Sequence, residues 1–236
     1  MKQSVKAVLF DLDDTLWAIE PVLQRAEAQL FDWLRQHAPR LASQHSVGSL
    51  RERRQALLAA EPAYQINLWA LRHAVLTQAL RESEEDLQLA DPAMVIFTTA
   101  RNSVEPFDDV VPGLQRLAQR LVLGTISNGF ADLKHIGLAD HFRTSLAAHQ
   151  FGSAKPDPAI FHAACDALQL TPAETVYVGD DLTLDVLGAQ QAGLQAVWMN
   201  RFNRPLPPHV KPDAICTNLY ELDAWLRAAS DKSPGN

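Results

Sequence analysis

Asp11, Asp13, Asp14 and Thr15 place three carboxylates and a hydroxyl directly after the run Val5–Phe10. Like charges this close raise one another's pKa unless a cation neutralises them. A divalent cation with oxygen ligands is the simplest such partner. The same residues also suit a plain polar turn, with Asp14 or Thr15 capping the next helix. Three more polar clusters follow: Ser127-Asn128-Gly129, Lys155-Pro156-Asp157-Pro158, and Gly179-Asp180-Asp181 with Asp185. Each alone has an ordinary reading as a turn, a solvated loop lysine or a helix cap. Together they supply every part of one reaction. One carboxylate can act as a nucleophile and form an acyl phosphate that water then hydrolyses. A second, two residues on, can protonate the leaving oxygen and later take a proton from the attacking water. A divalent cation offsets repulsion between the nucleophile and an anionic phosphoryl group. A hydroxyl, backbone N–H groups and a lysine hold the phosphoryl oxygens.

The elements that must position these residues follow from hydrophobic period. Val5–Phe10 reads as a buried strand, and Leu121–Ser127, Thr144–Ala147, Thr175–Gly179, Gln195–Met199 and Ala214–Cys216 as five more. Helices are expected over Gly113–Arg120, near 131–137, from Pro158 to about Leu168, over Leu184–Ala192 and over Leu219–Ala229, and the tail from Ser230 is expected to fray. Alternating strands and helices give an α/β fold with a parallel sheet covered on both faces. Each polar cluster lies at or just beyond a strand end. In open α/β sheets the ligand sits outside the carboxyl ends of the strands, so the four clusters can converge. Between the first and second strands lie nearly ninety residues with helical spacing and few strand signals. The expected helices run from near Pro21, over 50–60, 63–82 and 91–104, with a polar break at 38–46. A simple βαβ crossover needs far fewer residues. The excess reads as an inserted helical domain, expected to act as a cap over the strand ends.

Composition narrows the partners. The 236 residues are 47% apolar and 21% charged, with a net charge of −7 and no basic stripe, which argues against nucleic acid. No apolar stretch is long enough for a bilayer, and Met1-Lys2-Gln3-Ser4 leads into a strand without a signal-peptide core. Cys165 and Cys216 lie far apart and read as reduced core thiols, and the eight histidines show no paired metal spacing. A cytoplasmic protein is expected, monomeric or a homodimer, acting on a small molecule with no membrane partner.

The motifs Asp11-Leu12-Asp13-Asp14-Thr15, Ser127-Asn128, Lys155-Pro156 and Gly179-Asp180-Asp181-Leu182-Thr183-Leu184-Asp185 resemble those of the haloacid dehalogenase superfamily of aspartate-nucleophile phosphatases. The resemblance covers nearly the whole chain. It implies a Rossmann-like core over 1–16 and 106–236, a helical cap over 17–105, and Mg²⁺. It makes Asp11 the nucleophile and Asp13 the general acid and base. Mg²⁺ is then held by the Asp11 carboxylate, the Asp13 main-chain carbonyl and Asp180, with support from Asp185 and, second to it, Asp181. Ser127, Asn128 and Lys155 would bind the phosphoryl group, Lys155 also positioning Asp11, and Thr15 would join them and orient Asp13. Dehalogenases of the family lack an acid two residues after the nucleophile, so Asp13 favours phosphate esters over carbon–halogen bonds. A phosphomutase, or a non-catalytic binding module on the same fold, stays open. Glu61-Pro62-Ala63-Tyr64, with Trp69 and Arg72, and the run Val178–Val186 are similar to bacterial flavin-pathway phosphatases. These act on FMN or on the phosphorylated ribitylamino-uracil precursor of riboflavin. Trp17, Tyr64 or Trp69 would offer a ring for stacking; Trp17 is expected to line the pocket, and Trp69 to pack within the cap.

Overall fold

The structure, a computed structural model, describes residues 4–231. The chain divides into two compact units, one comprising residues up to Ala18, Glu105–Ser127 and the chain from Gly137 onward, the other Ile19–Val104 and Asn128–Ile136. The segment 128–136, left with the core by sequence pattern, thus groups with the helices. The last residues of the tail expected to fray lie outside the described residues.

The first unit is built on β1 (Ala7–Phe10), β2 (Val122–Ser127), β3 (Thr144–Ala147), β4 (Thr175–Gly179), β5 (Gln195–Met199) and β6 (Ala214–Cys216). They form one six-stranded sheet in the order β3-β2-β1-β4-β5-β6, every pairing parallel. The chain runs outward from β1 to one edge, then returns to pair β4 on the other side of β1. This reversal is the switch point at which an open α/β sheet forms a crevice beyond its strand ends. Strand residues alternate between faces. Leu9, Ile126, Tyr177 and Trp198 pack in one cluster with Ile160 and Phe161. The alternate positions Val8, Phe10, Val176 and Val178 are equally buried, so both faces are covered. This is the α/β, Rossmann-like core expected.

The helices, in chain order, are α1 (Ile19–His37), α2 (Pro39–Gln44), α3 (Val47–Ala60), α4 (Leu68–Glu82), α5 (Ala90–Arg101), α6 (Val110–Ala118), α7 (Leu133–Ile136), α8 (Ala148–Phe151), α9 (Pro158–Ala167), α10 (Gly188–Gln191) and α11 (Leu219–Asp231). None among the described residues is long and apolar enough to cross a membrane. The helical unit packs Leu30, Phe31 and Leu34 of α1 against Val75 and Leu76 of α4 and Phe97 of α5. Each such fully buried side chain contributes about 1.5–3 kcal/mol relative to exposure. Capping sets the boundaries. Ser46 accepts from Ser49 N in a capping box that starts α3, and Asn67 accepts from Ala70 N to start α4. The helix expected from residue 63 therefore begins at Leu68, after a 3₁₀ turn over Pro62–Ile66. The polar break at 38–46 holds the short α2, with proline in its first turn.

One charge cluster is buried within this unit. Glu27, 4% exposed, accepts from Arg51 (2.6 Å), Arg54 (3.0 Å) and Arg72 (3.2 Å). The Arg72 guanidinium also lies 3.7 Å from the Phe97 ring centre, a cation–π contact. Burial, with nearby Arg54 adding to it, draws the Arg72 pKa down to about 9. Burial opposes charge on Glu27, but the arginines outweigh it and hold its carboxyl below the usual range.

Candidate active site

β1 delivers Asp11 to the switch point. Its backbone N–H donates to Val178 O (2.8 Å), so the backbone at Asp11 is set by the sheet itself. Lys155, in the stretch between α8 and α9, is almost fully buried, and its Nζ donates to Asp11 Oδ1 (2.5 Å), Asp185 Oδ1 (2.6 Å) and the Tyr177 hydroxyl (2.8 Å). One ammonium thus binds two carboxylates, an arrangement that holds all three heads in place in a low-dielectric setting. Burial pushes the Asp11 carboxyl well up; Lys155 opposes this, while Asp185 and Asp180 reinforce it. Burial also works against the Lys155 ammonium, but Asp11 and Asp185 outweigh it and raise its pKa.

Beyond β4, the next two acids part company. Asp180 is held by Arg204 (Nη2 to Oδ2, 2.9 Å), and its carbonyl accepts from Trp198 Nε1 (2.8 Å). Burial and the nearby Asp185 push the Asp180 carboxyl up to about 6, against the pull of Arg204. Asp181 turns away: its Oδ1 accepts from Thr183 N and Leu184 N, both at 2.7 Å, as a helix cap. The helix expected over 184–192 is instead a π-helical turn, Leu182–Leu187, followed by α10. The wider turn is visible in the bond from Val186 N back to Asp181 O (3.1 Å), five residues apart. Asp185 on this turn reaches back to Lys155, and its Oδ2 accepts from Asp181 N (2.9 Å). Gly179 makes room for it, since a Cβ there would come within 2.3 Å of the Asp185 carboxyl carbon. Gly179→Ala is expected to cost about 1–3 kcal/mol by overpacking and to weaken divalent-cation binding, as read by thermal unfolding and titration calorimetry. Unchanged stability and affinity would show that this contact yields freely.

Oxygen atoms of Asp11, Asp180 and Asp185 lie within 4.8 Å of one another. Three clustered carboxylates, two of them with pKa values raised by burial and mutual proximity, fit an ion. Their all-oxygen donor set suits a hard divalent cation.

The residues after β1 pair at helical i, i+4 spacing. Thr15 Oγ1 lies 3.5 Å from Asp11 Oδ2, a long contact, whereas Trp17 Nε1 donates to Asp13 Oδ1 at 2.8 Å. This corrects two expectations. Thr15 faces Asp11 rather than orienting Asp13, because the turn beginning at Leu12 stacks it over Asp11. Trp17 is fully buried, so its ring offers no face for stacking on a ligand. Trp69 packs against the helical core and stacks on His73 at 5.2 Å, and Tyr64 is half-buried. Ser127 is buried at the end of β2, and the half-buried Asn128 begins the segment that groups with the helices.

Sequence reasoning missed Tyr177, Arg201 and Arg204. Tyr177 is fully buried on β4, and its hydroxyl donates to Ile126 O (3.2 Å) while accepting from Lys155. Its signal was a phenol inside an otherwise apolar strand, which needs a partner. Arg201 donates to Thr15 O (3.0 Å) and Asp109 Oδ1 (2.6 Å). Both arginines lie in a loop after β5 without a recognisable spacing.

Known proteins are similar to this chain. A family model for haloacid dehalogenase-like hydrolases matches residues 5–193. The chain is 33% identical over 206 residues to the 5-amino-6-(5-phospho-D-ribitylamino)uracil phosphatase YigB of Escherichia coli, covering 86% of each chain. It is 30% identical to a phosphoserine phosphatase of Thermus thermophilus, over 92% of this chain and 98% of that one. A crystal structure described as a 2-haloacid dehalogenase from Pseudomonas syringae superposes with a TM-score of 0.88 at 40% identity, covering 95% of this chain and 99% of that one. With a model match over most of its length and the sheet order, acid placement and buried lysine above, the chain belongs to the haloacid dehalogenase-like hydrolases.

Proposed function

We propose that this hydrolase is a Mg²⁺-dependent phosphatase acting on a small phosphomonoester through an aspartyl phosphate. The observation that carries the reading is Asp13, an acid two residues beyond the buried Asp11 whose carboxyl is fixed by a directed hydrogen bond. A carbon–halogen bond leaves as halide and needs no proton donor; an alkoxide does. Asp11 Oδ attacks phosphorus while the bond from phosphorus to the ester oxygen breaks. The electron pair stays on that oxygen, which takes the proton of Asp13. Water then attacks phosphorus and gives a proton to Asp13, the Asp11–phosphorus bond breaks, and inorganic phosphate leaves with both acids restored. Lys155, with Ser127 and Asn128, holds phosphoryl oxygens as charge shifts, and Lys155 keeps Asp11 aimed. Asp11, Asp180, Asp185 and the main-chain carbonyl of Asp13 would hold Mg²⁺, which when bound offsets repulsion between the carboxylate and the phosphoryl group. The helical unit is the part we assign to substrate choice.

The substrate class we propose is a flavin-type phosphate, FMN or 5-amino-6-(5-phospho-D-ribitylamino)uracil. Its support is the likeness to the E. coli phosphatase, with Tyr64 left as the aromatic candidate. A second reading, haloacid dehalogenase, is favoured by the likeness to the P. syringae structure. The test measures phosphate release from FMN, the ribitylamino-uracil phosphate, phosphoserine and 4-nitrophenyl phosphate, with Mg²⁺ and with chelator, beside halide release from 2-chloropropionate. Chelator-sensitive phosphate release is expected, fastest on the flavin-type substrates. Halide release without phosphate release would replace this reading with the second.

A further inference from the structure

We propose that Trp17 is a positioning residue for the general acid: its indole N–H holds the Asp13 carboxyl so that Oδ2 presents the proton to the leaving oxygen. The inference rests on the phosphatase reading and deepens it. Trp17 Nε1 donates to Asp13 Oδ1 at 2.8 Å, and the side chain is fully buried. Its own position is anchored on several sides. The Trp17 carbonyl accepts from Asp14 N at 2.7 Å, its backbone bridges both Asp13 and Pro106, and Phe107 N donates to the neighbouring Leu16 O at 3.0 Å. Asp14 takes a left-handed conformation, φ 58°, which aspartate tolerates better than most residues. This conformation closes the tight turn that brings residue 17 back against residue 13.

A buried indole N–H needs a partner, and a backbone carbonyl would satisfy it. Here the partner is the carboxyl group of the acid itself, and the 2.8 Å bond fixes its rotamer. Of the two oxygens of a protonated carboxyl, the carbonyl oxygen is the better acceptor. A bond to Oδ1 therefore places the proton on Oδ2. The rigid ring allows little wobble, and small errors in the placement of a proton donor are costly in rate.

The readout is leaving-group dependence. An alkyl phosphate needs its leaving oxygen protonated, whereas 4-nitrophenolate leaves without help. The kcat/KM value reports steps up to the first irreversible one, transfer to Asp11, so the hydrolysis step common to all substrates does not enter. Trp17→Phe keeps a ring and removes the donor. It is expected to lower kcat/KM for glycerol 2-phosphate by about 10- to 100-fold and that for 4-nitrophenyl phosphate by less than about threefold, the former being less than the about 10²–10⁴-fold a general acid supplies in full, because the acid stays and only its aim is lost. Because the smaller ring leaves a void, the comparison is repeated with 3-benzothienylalanine placed at position 17, which keeps the shape of the indole and lacks the N–H. Equal losses on both substrates, or no loss on either, in the shape-matched variant would overturn the proposal while leaving the phosphatase reading intact. A wild-type protein that releases phosphate from neither of these substrates nor from the flavin-type phosphates would overturn both.

Discussion

Asp11→Asn is expected to lower phosphate release by at least ~10⁴-fold, the scale of loss when a covalent nucleophile is removed, while the protein still unfolds cooperatively on heating. The second half of the expectation comes from the hydrogen bonds of Lys155. In most buried ion pairs, deleting one partner strands the other and costs about 3–5 kcal/mol. Here Lys155 also donates to Asp185 (2.6 Å) and Tyr177 (2.8 Å), so the ammonium keeps a counter-charge when Asp11 becomes neutral. Asparagine fills the same space and removes one of three mutually repelling carboxylates. Phosphate release by the purified variant, with thermal unfolding followed by circular dichroism, checks both halves. Residual turnover near the wild-type level would remove Asp11 from the chemistry. Loss of the folded state would mean that the carboxylate is structural.

Glu27→Gln is the reverse case and is expected to destabilise the protein by about 3–5 kcal/mol, the usual effect of stripping a buried cation of its partner. Arg72 is nine-tenths buried, with Arg54 and Arg51 drawn to the same carboxylate. Without the Glu27 carboxylate of α1, the arginines of α3 and α4 face one another with no counter-charge between them. The same residue sets an acid limit. Its folded pKa is depressed, so its stabilisation is fully present above the unfolded value near 4.5 and is lost as pH falls through the folded value. Urea unfolding from pH 7 to pH 3 should show wild-type stability falling at the acid end and a flatter profile for the variant. A variant as stable as the wild type at pH 7 would mean that the arginines find water instead.

Much of this was legible because it depended on short-range pattern. β3, β4, β5 and β6 keep the bounds expected of them; β4 and β5 are the buried apolar runs a central parallel strand requires, whereas the edge strands β3 and β6 are short and partly exposed. The approach of Asp11, Lys155 and Asp185 followed from parallel strands sharing one carboxyl edge. What period could not supply was the detail of turns and tertiary partners. A π-helical turn carries the same apolar period as the opening of an α-helix, so the wider turn that returns Asp185 to Asp181 N was hidden, although a helix cap in the Gly179-Asp180-Asp181 cluster was among the readings. Trp17 looked like a pocket aromatic because one-dimensional proximity to Asp13 does not say whether the ring faces solvent or core. Arg204 and Arg201 act across long sequence separations, on Asp180, Thr15 and Asp109, and such pairings leave no local trace.

The helical unit comprises two pieces of chain, Ile19–Val104 and Asn128–Ile136. The polypeptide therefore passes between the units four times, at 18/19, 104/105, 127/128 and 136/137. A chimera that exchanges only the long insertion would keep a host-derived strip in a foreign helical module. Phe130, which packs against Phe97 with ring centres 6.3 Å apart, and Asn102, which accepts from Asp132 N at 3.0 Å, mark where that mismatch would fall. Recombination between relatives should conserve function best when both pieces travel together, so the short second piece acts as a compatibility tag for module swapping.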